Sequence, residues 1–222
     1  MTGRWPSWNV FLELTDLLSC PQCGPAHGLV LLVRESVEGR VRSGWLGCPN
    51  CRRDFPVEDG VVDLRLGPES RAAELQPLSD DELALKIVAL SGLAQERGIL
   101  IVGERLGHAA ERIAELAPEL EVVFVGSKLE RVTEGQGVSR ILSDAQLPFA
   151  EFRVRAMAIA PGGDPELVSA AARRVAPGGR LLLFDVHPED REAARETGLT
   201  VVAEGEGIAV AKRDLDPVFR AR

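Results

Sequence analysis

From residue 80 onward the apolar positions switch repeatedly between helical and strand spacing. "SDDELALKIVALSGLAQERG" opens with Ser79 and Glu82, a pair that caps a helix reciprocally, and Leu83, Ile87, Leu90 and Ala94 then share one face. The aliphatic run Ile99-Leu100-Ile101-Val102 follows as a strand and ends at Gly103. "HAAERIAELAPE" predicts a helix stopped by Pro118, and "EVVFVG", "SRILSD" and "RVRAMAIAPG" predict the next three strands. Asp164-Pro165-Glu166 supplies a cap and a first-turn proline for a helix running through "LVSAAARRV". "APGG" predicts a turn into a fifth strand, "RLLLFDV"; Pro188 to Glu196 reads as a helix stopped by Gly198. "LTVVAE" and "GIAVAKR" form a closing hairpin through Gly205-Glu206-Gly207.

This alternation predicts an α/β fold over residues 80–222: a seven-stranded, mostly parallel, Rossmann-like sheet wrapped by helices. The first 66 residues read differently. "VFLELTDLLSCPQC" predicts a short amphipathic helix, "GLVLLVRES" and "RVRSGWLG" a hairpin around Glu38-Gly39, and "FPVEDGVVDLR" two strands joined at Asp59-Gly60. Residues 67–79, rich in Pro, Ser and charge, predict a linker between the two units.

All four cysteines lie in the first unit, Cys20 and Cys23 in "CPQCG" and Cys48 and Cys51 in "CPNC". Each C-x-x-C lets two thiolates and the N–H groups that follow wrap one metal ion. Two such knuckles complete a tetrahedral site, and zinc is the metal such sites most often take. Disulfides fit less well in a chain expected to be cytoplasmic, and a redox motif would need a βαβ context. Four thiolates leave no open coordination position, so the metal is expected to be structural and residues 1–66 to form a zinc ribbon. His27, near the first knuckle, reads as an exposed loop residue rather than a ligand.

Charge narrows the function. The net charge is −8, with the acidic excess almost wholly after residue 66. That balance argues against non-specific nucleic-acid binding and so disfavours a zinc-ribbon nucleic-acid binder. No apolar run approaches the ~20 residues of a membrane span. Acids inside "MTGRWPSWNVFLELTD" argue against a signal peptide, so a cytoplasmic location is the expectation. No Ser-His-Asp or Cys-His arrangement stands out, and His108 and His187 read as surface or capping residues.

Two resemblances add to this. Residues 9–65, through the helix, both CPxC knuckles and "FPVEDGVVDL", resemble the small zinc-ribbon proteins that bind and activate tRNA, rRNA and protein methyltransferases. Residues 80–213 resemble class I S-adenosylmethionine-dependent methyltransferases through the closing antiparallel pair, "SDAQLPF" and "AARRVAPGGRLLLFDV". The first resemblance implies a docking and stabilising module whose zinc does no chemistry. The second implies cofactor contacts at Gly103, Gly107, Asp144 (at the adenine amino group) and Ala145.

The same resemblance exposes departures. Ile101 stands where a carboxylate fixes the glycine loop and the methionine end of the cofactor. Arg105 replaces the middle glycine and puts a long charged side chain where the cofactor would lie. Gly126 stands where a carboxylate accepts from both ribose hydroxyls, and Ser127 is a poor substitute. "AIAPGGDPE" offers neither an aromatic nor an amide to position a methyl acceptor.

Two functional readings follow. One is a methyltransferase-fold protein with a degenerate S-adenosylmethionine site, a scaffold or regulatory partner in a protein complex. It would bind another protein, or a second copy of itself, through the ribbon. Trp5, Trp8, Trp45 and Phe55 are the candidate anchors, although the tryptophans serve equally well to pack the ribbon against the α/β unit. The other is an active methyltransferase with an atypical cofactor loop, acting on RNA, protein or a small molecule; some rRNA guanine methyltransferases also place a zinc ribbon before this fold. The sequence leaves open whether the chain is an enzyme.

Overall fold

In the ribbon, apolar stretches alternate with turns too tight for a helix. A computed structural model of the chain describes residues 10–37, 39–67, 82–93, 97–129, 137–144 and 147–215. Its first part holds β1 (Val10–Phe11), a 3-10 turn (Leu12–Asp16), β2 (Ser19–Cys20), β3 (Gly24–Gly28), β4 (Val30–Val37), β5 (Arg40–Gly47), β6 (Asp54–Glu58) and β7 (Val61–Asp63). The helix expected before the first knuckle is only this 3-10 turn. The Phe11 N–H donates to Ser139 Oγ at 3.2 Å and the Ser19 N–H to the Pro148 carbonyl at 2.9 Å, so the chain is pinned on both sides of it. Asp59 and Gly60, at φ 46° and 70°, make the expected tight turn between β6 and β7.

The second part holds α1 (Leu83–Ser91), β8 (Gly98–Gly103), a 3-10 turn (Glu104–Ala109), α2 (Ala110–Leu116), β9 (Leu120–Gly126), β10 (Val138–Leu142), β11 (Val154–Ile159), α3 (Pro165–Arg174), β12 (Val175–Phe184), α4 (Pro188–Glu196), β13 (Thr200–Gly205) and β14 (Ile208–Lys212). Asp164 caps α3, its Oδ1 accepting from the N–H groups of Glu166 and Leu167 at 3.1 Å each. The expected "APGG" turn lies inside β12, where the register with β11 jumps between the Val154–Val175 and Ala156–Arg180 pairs. A Cβ on Gly179 would lie 2.8 Å from the Arg155 carbonyl oxygen, so this close approach requires glycine. Ser79, Ala145, Trp5, Trp8 and nearly all of the expected linker lie outside the described residues.

Strand alternation sorts the core into two layers. Leu100, Val102, Val122, Phe124, Ala156 and Leu182 pack against α1 and α2. Ile101, Val123, Val125, Met157, Leu181 and Leu183 face α3 and α4, and the ribbon's Leu14, Leu18, Leu46, Phe55 and Val62 join that same layer. β9 and β10 are buried along their whole length, as strands covered on both faces should be.

The seven-stranded expectation needs correction. Among the described residues the sheet has twelve strands and runs β1-β5-β6-β7-β10-β9-β8-β11-β12-β14-β13, with β4 on the other side of β5. The extra strands come from the ribbon. Val61, Val62 and Asp63 of β7 pair in parallel with Arg140, Ile141 and Leu142 of β10, and the Leu64 N–H extends the ladder to the Leu142 carbonyl at 2.8 Å. An apolar strand such as β10 with a bare edge would be a template for misassembly; β7 covers it. β14 is antiparallel to β12 and β13, as the closing hairpin predicts.

A polar lock joins the two parts at the lower end of the sheet. Arg40 of β5 grips Glu121 of β9 through both guanidinium arms, and the Ser139 hydroxyl donates to Glu121 Oε1 at 2.6 Å. The pair floors an open hollow of about 750 Å³. Among the described residues no helix is long and apolar enough to cross a membrane.

Candidate functional site

Folding brings the four cysteine sulfurs within 4.8 Å of one another. Cys20 ends β2 and Cys23 lies in the turn between β2 and β3, and the turn between β5 and β6 presents Cys48 and Cys51. Cys20 Sγ lies 3.7 Å from Cys51 Sγ and Cys23 Sγ lies 3.8 Å from Cys48 Sγ. A regular tetrahedron with arms of about 2.3 Å, the zinc–thiolate distance, has edges of roughly 3.8 Å. Two opposite edges of the cluster therefore match that tetrahedron, and all four cysteines are free of disulfides.

The surroundings act on the thiols unequally. Burial pushes Cys20 up to about 12. Burial also works to raise Cys48, but the N–H groups of Cys51 and Asn50, together with hydrogen bonds from the Cys20 and Cys51 thiols, outweigh it and bring that thiol down to about 7. The Asn50 side-chain amide donates to Cys23 Sγ at 3.3 Å, the kind of outer hydrogen bond that orients a thiolate. His27 is half-buried in β3 and is not among the residues of the cluster.

The second site is the crevice at the C-terminal ends of the parallel strands. Strand order reverses between β8 and β11, and in open α/β sheets ligands bind at such a switch point. Gly103 ends β8 at this point, and Gly107 is buried in the turn that follows. Ile101 is fully buried in the core and does not reach the crevice.

The two residues after Gly103 diverge. Glu104 turns toward β9: its Oε1 accepts from the Ser127 hydroxyl at 2.8 Å and its Oε2 from the Ser127 N–H at 3.2 Å. Its side chain covers Gly126, where an added Cβ would lie 3.1 Å from Glu104 Cβ and 2.6 Å from the Phe124 ring. Arg105 turns the other way. Its Nη1 donates to the Ala160 carbonyl at 3.1 Å and pairs with Asp185 Oδ2 at 2.8 Å, tying the ends of β8, β11 and β12 together. Arg105 is 15% exposed and Asp185 37%, so the bridge sits in the crevice mouth.

The rim is equally committed. Gly162, at φ 62°, has its missing side chain's place taken by the Arg105 guanidinium, 2.6 Å from the Cβ position. Asp190 is fully buried and accepts through Oδ2 from Gly163 N–H at 3.2 Å and His187 N–H at 2.8 Å. Asp144 Oδ2 accepts from the Leu66 N–H of the ribbon at 3.0 Å. His108 and His187 are exposed, and His187 is the residue that precedes α4, as a capping residue does.

The roles of Glu104 and Asp185 escaped the sequence reading. The signal was present: an acid beside the intrusive arginine, and a second acid directly after the fifth strand. Phe55, expected as an outward anchor, is 2% exposed, whereas Trp45 is 44% exposed. The reason is register: Phe55 pairs with core Leu46, and Trp45 pairs with exposed Leu32 and with Pro56.

No family model matches the chain, and no curated protein matches it. Among solved structures it is similar to an O-methyltransferase family protein from Burkholderia thailandensis, at 14% identity and TM-score 0.48 over 59% of this chain and 55% of that one. It is similar to the antibiotic-resistance methyltransferase Kmr at 15% identity and TM-score 0.44, over 64% of this chain and 98% of that one. A third similarity is to a chain of the complex between the Haloferax volcanii Trm112 methyltransferase activator and a putative methyltransferase. There the identity is 18% and the TM-score 0.46, over 55% of this chain and 70% of that one. The chain spans just over half the length of the first of these. Similarity at this level gives the chain neither an activity nor a cofactor. The molecule is an α/β protein with a mixed, largely parallel sheet and a four-cysteine cluster on a ribbon continuous with that sheet.

Proposed function

We propose that this chain is a methyltransferase-fold protein whose cofactor crevice is closed by its own side chains. It holds one structural zinc in Cys20, Cys23, Cys48 and Cys51 and works by binding a partner rather than by methyl transfer. The observation that carries the reading is the Arg105–Asp185 bridge across the switch point. S-adenosylmethionine brings a sulfonium cation and an amino acid moiety to that place, and a guanidinium already stands there. Admitting the cofactor means breaking the bridge. A charge-assisted hydrogen bond is worth ~1.5–3 kcal/mol, about ten-fold to a hundred-fold in affinity, before any steric term.

Glu104 adds to this. It puts a carboxylate at the end of β9, where each oxygen accepts one bond from Ser127. The zinc holds the ribbon folded, and the ribbon covers β10. Trp45 and the edge strand β4 are exposed apolar features of the ribbon through which a protein partner, or a second copy, would dock.

Binding of S-adenosylmethionine to the native chain and to Arg105→Gly tests the reading. Gly126→Asp is not a useful rescue, because Phe124 fills its side-chain space. Saturable binding gained in Arg105→Gly and absent from the native chain supports the closed crevice. Equal micromolar binding by both sinks it and favours an active methyltransferase.

A further inference from the structure

Leu66 is held from two sides. Its carbonyl accepts from Arg53 Nη1 at 3.3 Å, and its N–H donates to Asp144 Oδ2 at 3.0 Å. Arg53 belongs to the second cysteine knuckle. Its carbonyl accepts the Cys48 N–H at 2.9 Å, and the Cys48 carbonyl accepts the Arg52 N–H at 2.9 Å. One end of this path is a cysteine of the four-sulfur cluster; the other is a carboxylate on the crevice rim. Between them the chain leaves β7, whose Asp63 is paired with Leu142. Asp144 Oδ1 is buried with no hydrogen-bond partner among the described residues, and the Leu66 N–H holds the other oxygen, with the Arg65 guanidinium adding an electrostatic pull.

We propose that this path couples the metal site to the crevice. A metal-loaded knuckle fixes Arg53, Arg53 fixes the Leu66 peptide, and that peptide fixes Asp144; metal loss releases all three. Arg53 and Leu66 are positioning residues and touch no metal. The inference rests on reading the cysteines as a metal site. Coupling of this kind is reciprocal: if the metal steadies Asp144, Asp144 must steady the metal by the same factor.

The test uses the zinc-loaded full chain. Zinc affinity is measured by equilibrium competition with a chelator for the native chain, Asp144→Ala, Arg53→Met and Arg53→Lys. Asp144→Ala and Arg53→Met are expected to hold zinc about five-fold more weakly or worse, with Arg53→Lys restoring part of the difference. A merely local role for Asp144 would leave zinc affinity untouched. A second arm needs no variant: amide exchange at Ser143, whose N–H donates to the Gly126 carbonyl at 2.9 Å, is expected to quicken when zinc is stripped. A chain that takes up no zinc overturns the metal reading and the coupling together. A zinc-loaded chain in which Asp144→Ala holds zinc with the native affinity, or in which Ser143 stays protected after stripping, overturns the coupling alone.

Discussion

Arg105 ties strand ends together at the switch point. A glycine at its position would leave the backbone open to a ligand; the arginine instead spans three strand ends by bonding Ala160 and Asp185. The neighbouring acids carry their own predictions. Asp190 is fully buried and serves two backbone donors, so Asp190→Ala leaves the N–H groups of Gly163 and His187 unpaired. That change is expected to cost about 2 kcal/mol in urea unfolding, and a change below about 0.5 kcal/mol would contradict it. At Asp63 burial acts to raise the carboxyl, but the Arg65 guanidinium more than offsets it and holds the group below its usual value. A lowered folded-state value means stability that is present above the unfolded carboxylate value of about 3.9 and lost as pH falls through the folded one. The gap in stability between the native chain and Asp63→Asn should therefore shrink between about pH 5 and pH 3. Its size at neutral pH is at most about 1 kcal/mol, since both partners are near the surface. A gap that does not change with pH would count against the pair.

The elements show what the sequence made legible and what it did not. The α/β unit's helical and strand periods, the Asp164 cap, the two knuckles and the closing hairpin are local patterns, and they appear in the structure where their residues lie among those described; the helix expected before the first knuckle is the exception, a 3-10 turn. Ile101, Arg105 and Gly126 were equally readable as departures, because each breaks a local motif. Pairing between distant segments was not readable. Nothing in "GVVDLR" says that β7 will lie beside β10, and nothing in Arg40 names Glu121 across 81 positions of sequence. Glu104 covering Gly126 is likewise set by the twist of two strand ends rather than by spacing. The Arg40–Glu121 lock gives the test at this scale. A double-mutant cycle with Arg40→Ala and Glu121→Ala should return a coupling of about 1–3 kcal/mol, because Glu121 is 8% exposed and is bonded by Arg40 and Ser139. A coupling indistinguishable from zero would show that this lock does not help to hold the two parts of the sheet together.

At the scale of the molecule the ribbon is part of the sheet and of one core layer, so its metal should matter beyond the knuckles. Elemental analysis is expected to find one zinc per chain. Cys48→Ser should unfold the ribbon and also loosen β10, whose edge β7 covers, while β8, β11 and β12 persist. Amide exchange resolves the two: a β10 that stays as protected as in the native chain would mean that the ribbon is an appendage. The central claim, that the chain's own side chains close the crevice to the cofactor, is reached most directly by calorimetric titration of the native zinc-loaded chain with S-adenosylmethionine. The account predicts no saturable heat at ordinary cellular cofactor concentrations. A saturable isotherm with a micromolar dissociation constant would contradict it.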